Sequence, residues 1–205
     1  RSAIPRAGHP KNVFITFFCY NIRYIMTNFL YSATIVAGAL ILLYYILLYA
    51  RTKVPIILTP EKYIINLLSE IGSEYINSDS VVYEMGSGWG NFSFSVEKFE
   101  PKKIIGYELS PVHSIFSRLK AWIRGSHVKF LTKDFFTADI RDATIIYVYL
   151  VPKVVEKLWR KIEEECRPGT VMILLGHDMP GVMPIKKIKT NPQKQGSTHF
   201  YIYEV

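Results

Sequence analysis

Cysteine is scarce in this 205-residue chain. The two present, Cys19 and Cys166, lie far apart with neither CxxC nor zinc-finger spacing, which argues against a disulfide framework and a structural metal site. A reducing compartment such as the cytosol fits that usage. His9, His113, His127, His177 and His199 are scattered and form no ligand cluster, so no metal is expected. Repeats and low-complexity tracts are missing too. Acidic side chains are the minority charge, 17 against 25 Lys and Arg. The resulting net charge of +8 favours anionic partners such as phospholipid headgroups, nucleic acid or acidic protein faces, and does not choose among them.

Charge disappears altogether from Phe29 to Ala50, "FLYSATIVAGALILLYYILLYA", 22 residues that can cross a hydrocarbon core of about 30 Å as a helix. Phe29 and Tyr31 near one end and Tyr44, Tyr45 and Tyr49 toward the other match an interfacial aromatic belt, and Arg51 and Lys53 close the run. A signal peptide would have a shorter apolar core and a small-residue cleavage site. A buried core helix of a soluble protein is the competing reading, disfavoured by the length. Arg1, Arg6, Lys11 and Arg23 precede the run and Arg51, Lys53 and Lys62 follow it, so the positive-inside rule gives little orientation. The earlier stretch "VFITFFCYNI", Val13 to Ile22, is too short to span and is interrupted by Arg23; it reads as an interfacial helix. The expected organisation is a tail over 1–28, a single transmembrane helix over 29–50, a linker over 51–60 with two prolines, and one folded domain over 61–205. The chain opens on Arg1 rather than Met, which leaves a longer or processed form open.

With 49% apolar residues, the remainder suffices for one compact domain. "EKYIINLLSEIGSEYI" has helical spacing at Ile64, Ile65, Leu67, Leu68 and Ile71. Short apolar runs then alternate with helical stretches: "SVVYEM", "NFSFSVEKF", "KIIGYEL", and "PVHSIFSRLKAWIRG" opened by Ser110 and Pro111 and closed by Gly125. "VKFLTKD", "ATIIYVYL", "PKVVEKLWRKIEEEC" and "TVMILL" continue the pattern. Such alternation predicts an α/β fold, a parallel sheet covered on both faces, because each crossover must carry a helix back over the sheet. The tail breaks it, since "PIKKIKT" and "THFYIYEV" have only a turn-rich loop between them, which predicts an antiparallel hairpin at one end of the sheet. Its lysines either touch lipid headgroups or an acidic partner, or are simply solvated.

The stretch "VVYEMGSGWG" puts Gly86, Gly88 and Gly90 behind the first strand, at the edge where ligands approach the backbone of such sheets. A dinucleotide fingerprint would need glycine at Asn91, so the spacing argues against NAD. Glu108, at the end of the second strand, is positioned to accept hydrogen bonds from ribose hydroxyls. Asp134 ends the third strand, where it can accept from an exocyclic amine, and Phe135 can stack on or bound an adenine ring. The loop and two acids on three successive strand ends specify a nucleoside without phosphates.

"VVYEMGSGWG", "GYELS", "KDFF" and the final strand pair resemble the class I S-adenosylmethionine-dependent methyltransferases, from about Pro60 to Val205. The resemblance implies a Rossmann-like seven-stranded sheet whose last strand is antiparallel. It also implies S-adenosylmethionine as cofactor: the loop of Glu84, Gly86, Ser87, Gly88 and Gly90 facing its methionine part and ribose, Glu108 and Leu109 at the ribose, and Asp134 with Phe135 at the adenine. "LTPEKYIINLL", "DATIIYVYLVPKV" and "RPGTVMILLGHDMPG" are similar to the membrane-anchored lysine methyltransferases of the adenine nucleotide translocase and ATP synthase c subunit type and their bacterial relatives. Trp89 departs from that pattern, being bulky where relatives often carry a small or acidic residue.

Methyl transfer is a direct displacement, so the protein mainly positions the nucleophile and excludes water. In this superfamily the acceptor meets the methyl group at the loop after the fourth strand, here "YVYLVPKV". Tyr149 is the candidate for orienting an amine, with Pro152 shaping the loop; a packed structural tyrosine is the alternative. His177 and Asp178 either bound the acceptor pocket or stabilise a turn. The N-P-P-Y type motif of amide and adenine methyltransferases is absent, which counts against DNA or glutamine substrates. The expected activity is methylation of a lysine on a membrane protein by a single-pass enzyme whose domain lies on the cytoplasmic or matrix-like side, with lipid bilayer as partner and no nucleic acid. Methylation of a lipid or lipophilic small molecule, and a non-catalytic cofactor-binding scaffold, are the alternatives.

Overall fold

A computed structural model describes residues 10–55 and 57–205. It divides into two units, 1–53 and 54–205. The first contains one helix, α1 (Pro10–Thr52). The expected break at Arg23 is not there, because residues 11–37 contain neither Pro nor Gly and arginine is a good helix former. Within α1, Tyr20–Thr52 has a mean hydropathy of 2.2 in its most apolar window, none of which is buried. It is long and apolar enough to cross a membrane, and its full exposure is not that of a core helix.

The second unit begins with α2 (Glu61–Tyr75), which turns Ile64, Leu67, Leu68 and Ile71 inward and leaves Ile65 outside. Then follow β1 (Val81–Met85), α3 (Asn91–Val96), β2 (Lys103–Glu108), α4 (Pro111–Arg124), β3 (Lys129–Thr132), β4 (Ile145–Val148), α5 (Pro152–Glu165), β5 (Val171–Leu175), β6 (Lys186–Lys189) and β7 (His199–Glu204). The seven strands form one sheet in the order β3-β2-β1-β4-β5-β7-β6. β1 to β5 pair in parallel, whereas β7 runs antiparallel to both β5 and β6. The expected hairpin is thus present at one end of the sheet.

Alternation along the strands sends side chains to two separate cores. Tyr83, Met85, Ile146 and Leu174 pack with Val155, Leu158 and Ile162 of α5. Val82, Tyr147, Ile173 and Phe200 pack with α2 and with Phe92 and Val96 of α3. Lysines 186, 187 and 189 lie on the edge strand β6, where charge discourages further strand pairing. Lys186 also reaches Glu74 at 3.2 Å, so part of that basic tail is tied to α2. Cys166 is a buried free thiol pushed up to about 11 by burial, hence unreactive.

Candidate active site

Parallel strands put the carboxyl ends of β1 to β5 on one edge, and the chain changes direction between β1 and β4, the switch point where a crevice opens. The loop leaving β1 is pinned to β2: the N–H groups of Gly86 and Ser87 donate to the Tyr107 carbonyl at 2.9 and 2.8 Å. It closes in a turn through Gly90 N–H to Ser87 O at 2.7 Å. Gly86, Gly88 and Gly90 have φ of 78°, 50° and 73°, the left-handed region open to glycine. At Gly90 a Cβ would also lie 2.3 Å from Phe130. Gly106 in β2 also shapes this loop, with no motif around it in sequence to mark it. A Cβ there would meet Phe130 at 2.7 Å and Ser87 at 2.8 Å, so its bareness lets β2 run under the loop, as an isolated strand glycine signals.

Glu108 accepts from Gly88 N–H on one oxygen and from Ser110 N–H on the other, both at 2.8 Å. It therefore joins the glycine loop to the start of α4. Each carboxylate oxygen keeps a further lone pair for a hydroxyl donor. Leu109 is exposed beside it. Asp134 accepts from Phe136 N–H at 2.9 Å and caps a 3-10 turn over Phe135–Thr137. That turn folds Phe135 into the core on the α5 side, 6% exposed, so its ring is not presented for stacking as expected. Phe136, 4.6 Å away, is the half-buried ring of the pair.

Glu84 is buried at the end of β1, and its Oε2 accepts from Ser93 N–H at 3.0 Å and Ser93 Oγ at 2.6 Å. Burial pushes its pKa from an ordinary 4.5 up to about 7, against the lowering effect of those hydrogen bonds. Between those values the unfolded chain is ionised while the folded one holds the proton, so the stabilisation is full below 4.5 and is lost as pH rises toward 7. The loss is about 3 kcal/mol across that window. Glu84→Gln is expected to flatten the slope in urea unfolding between pH 5 and 7; an unchanged slope would mean that Glu84 is already ionised in the fold.

Glu84, Gly86, Ser87, Gly88 and Tyr149 line one cleft, and Trp89, Asn91 and Tyr147 complete its wall. Ile57, Leu58 and Thr59, which the sequence suggested only as connector, line it too. Thr59 Oγ1 lies 2.8 Å from the buried Tyr147 hydroxyl, and Asn91 donates to Thr59 O at 3.1 Å. Tyr147 in turn stacks on Phe92 with centroids 3.9 Å apart. The cleft is narrow, about 30 Å³, and Glu108 and Asp134 stand outside its lining, at neighbouring strand ends of the same edge. Trp89 turns its ring onto Phe116 of α4, stacked at 5.7 Å, which explains how so bulky a residue fits the loop.

His177 Nε2 is 3.1 Å from Leu150 O and Nδ1 is 3.0 Å from Asp178 O. The ring ties the loop after β4 to the turn after β5, the turn-stabilising alternative. Asp178 and Pro152 are exposed, the latter at the first position of α5. Neither they nor His177 line the cleft.

The family model described as the ANTKMT methyltransferase domain matches residues 84–186, half of the chain and all the strand ends just described. The chain belongs to the ANTKMT methyltransferase domain family. One relative, a protein-lysine N-methyltransferase of Saccharolobus islandicus, is 28% identical over 155 residues, covering 74% of this chain and 94% of that protein. The adenine nucleotide translocase lysine N-methyltransferase of Mus musculus is 24% identical over 157 residues, 76% of this chain and 65% of that protein. Among solved structures, an RNA methyltransferase from Salinibacter ruber in complex with S-adenosyl-L-homocysteine has a TM-score of 0.63 at 25% identity, over 73% of this chain and 94% of that one.

The domain of this ANTKMT family member is therefore that of an S-adenosylmethionine-dependent methyltransferase. Its cleft fits that cofactor. Ser87 Oγ lies buried in the cleft wall with no hydrogen-bond partner, and Gly86 and Gly88 line the cleft beside it without side chains of their own.

Proposed function

We propose that the chain methylates a lysine side chain on a membrane protein, held at the bilayer by α1. The observation carrying this reading is that Tyr149 and the glycine loop line the same cleft, in a chain whose relatives bear the names of lysine methyltransferases. Residues 29–50 cross the membrane, 51–60 link, and 61–205 form the catalytic domain, with Leu58 and Thr59 of the linker serving as part of the site. The domain lies on the reducing, cytoplasmic or matrix-like side, where Cys166 stays a thiol.

Bound S-adenosylmethionine supplies a methyl group on a sulfonium, which transfer converts to a thioether. Glu108 binds the ribose hydroxyls while fixing Gly88, and Leu109 flanks them. Asp134 accepts from the adenine amine. Glu84, Gly86 and Ser87 hold the methionine end. Tyr149 orients the acceptor amine, which must first lose its proton to solvent, and the walls of the narrow cleft limit the water that would stabilise its charged form.

Tyr149→Phe is expected to slow transfer about tenfold, the worth of one hydrogen bond, and to leave cofactor affinity unchanged. The test incubates the full chain with membrane fractions and radiolabelled cofactor, separates lipid from protein, and locates the label by hydrolysis. Label on methyl-lysine, slowed by Tyr149→Phe, supports the proposal. Label confined to lipid overturns the lysine assignment, and equal rates overturn the role of Tyr149.

A further inference from the structure

Helix α4 is inside out. Its buried residues are His113, Ser114, Ser117 and Ala121, whereas Ile115, Phe116, Leu119, Trp122 and Ile123 are exposed. At 100° per residue the two sets occupy opposite faces, so the exposed residues form one continuous apolar stripe. Trp122 is 78% and Ile123 70% exposed, values that single scattered surface residues can have but that a whole helix face rarely does. Trp89 extends the stripe by stacking on Phe116. Beside it a hollow of about 240 Å³ has Trp89, Phe116, Leu119 and Ile123 as its apolar floor, with Lys120 and Arg124 at its edge.

The rims identify the occupant. By the same angular count Arg118 flanks the stripe on one side and Lys120 and Arg124 on the other, and α4 contains no acidic residue. Lys120 and Arg124 are held on their rim over the Phe94 ring, at 4.5 and 5.0 Å from its centroid. An apolar, tryptophan-bearing face with cationic borders matches an anionic bilayer surface, where acyl chains lie below the phosphates.

We propose that the outer face of α4, with Trp89, docks onto the surface of an anionic phospholipid bilayer, Trp122 and Ile123 entering the acyl boundary and Arg118, Lys120 and Arg124 pairing with phosphates. This rests on the membrane-anchored reading above. Docking at α4 bears directly on the site, since Ser117 Oγ donates to Gly88 O at 2.8 Å and Trp89 belongs to the glycine loop.

The test reconstitutes the full chain into vesicles of phosphatidylcholine and phosphatidylglycerol, with or without brominated acyl chains, and compares tryptophan emission with that of Trp122→Phe. Docking predicts a bromolipid-quenched component that falls sharply in Trp122→Phe, the remainder coming from Trp89. Arg118→Glu and Lys120→Glu should each lower the docked-to-undocked ratio about fivefold. A Trp122 component open to acrylamide and untouched by bromolipid overturns the proposal. So does one shielded from both, which would place a protein, a second copy or the substrate, on this face. Carbonate extraction reports the anchor separately: a chain stripped from the vesicles refutes the anchored reading, and the Trp122 signal with added vesicles then still decides the face.

Discussion

Glu108→Ala is expected to weaken S-adenosylmethionine binding at least about 100-fold in calorimetry on the full chain in detergent. In the proposed role the carboxylate accepts from two ribose hydroxyls, and the loop it fixes through Gly88 and Ser110 loosens as well when it is removed. Bonds to a charged group are worth about 1.5–3 kcal/mol each, and two decades of affinity need only about 3 kcal/mol. Glu108→Gln should fall between, near tenfold, because its carbonyl can still accept from Gly88 while its amide confronts the Ser110 N–H. Glu108→Asp keeps the charge but is one methylene too short to bridge both loops. Thermal unfolding without cofactor separates binding from folding, since a merely unfolded variant would lose its transition as well. Unchanged affinity in Glu108→Ala would remove Glu108 from the site.

The strand-end residues were legible because a parallel sheet delivers every strand's carboxyl end to one edge, so position in sequence gives position in space. That reasoning placed Glu84, the glycines, Glu108 and Tyr149 at one edge. It failed where the deciding contact is distant or depends on which way a local turn faces. Thr59 meets Tyr147 across 88 positions, and nothing local in "KVPIILTP" marks it as part of the cleft. Phe135 reads as a ring to stack on or bound an adenine, and the Asp134-capped turn places it in the core instead. In α1 the charge of Arg23 suggests a break that is not there, because charge sets where a helix sits and backbone-incompatible residues set where it ends. In α4 periodicity defines two faces and leaves open which one meets the sheet. Here small side chains are needed against the glycine loop, where Ser117 reaches Gly88, and the apolar face is left outside.

Close approach is also the basis of the largest expected stability effect, that of Gly90→Ala. The residue has φ of 73°, which costs an L-residue about 1–2 kcal/mol, and the added methyl would sit 2.3 Å from Phe130 Cζ and 2.6 Å from Cε1. The Phe130 ring cannot swing aside freely, being 2% exposed and packed 5.2 Å from Phe94. Overpacking of that kind adds about 1–3 kcal/mol. A total of about 3 kcal/mol or more lowers the midpoint of thermal unfolding by about 10 °C in a chain of this size. Phe130→Leu separates the two causes, because it removes the ring atoms in conflict and leaves φ untouched. The double variant should recover the steric part, a coupling of about 1–2 kcal/mol, and keep the backbone part. Gly106→Ala presses on the same ring at 2.7 Å with ordinary backbone angles, so Phe130→Leu should relieve it more fully, up to the limit set by Ser87 at 2.8 Å. Equal midpoints for Gly90→Ala and the unmodified chain would mean that the loop and the Phe130 ring relax without cost.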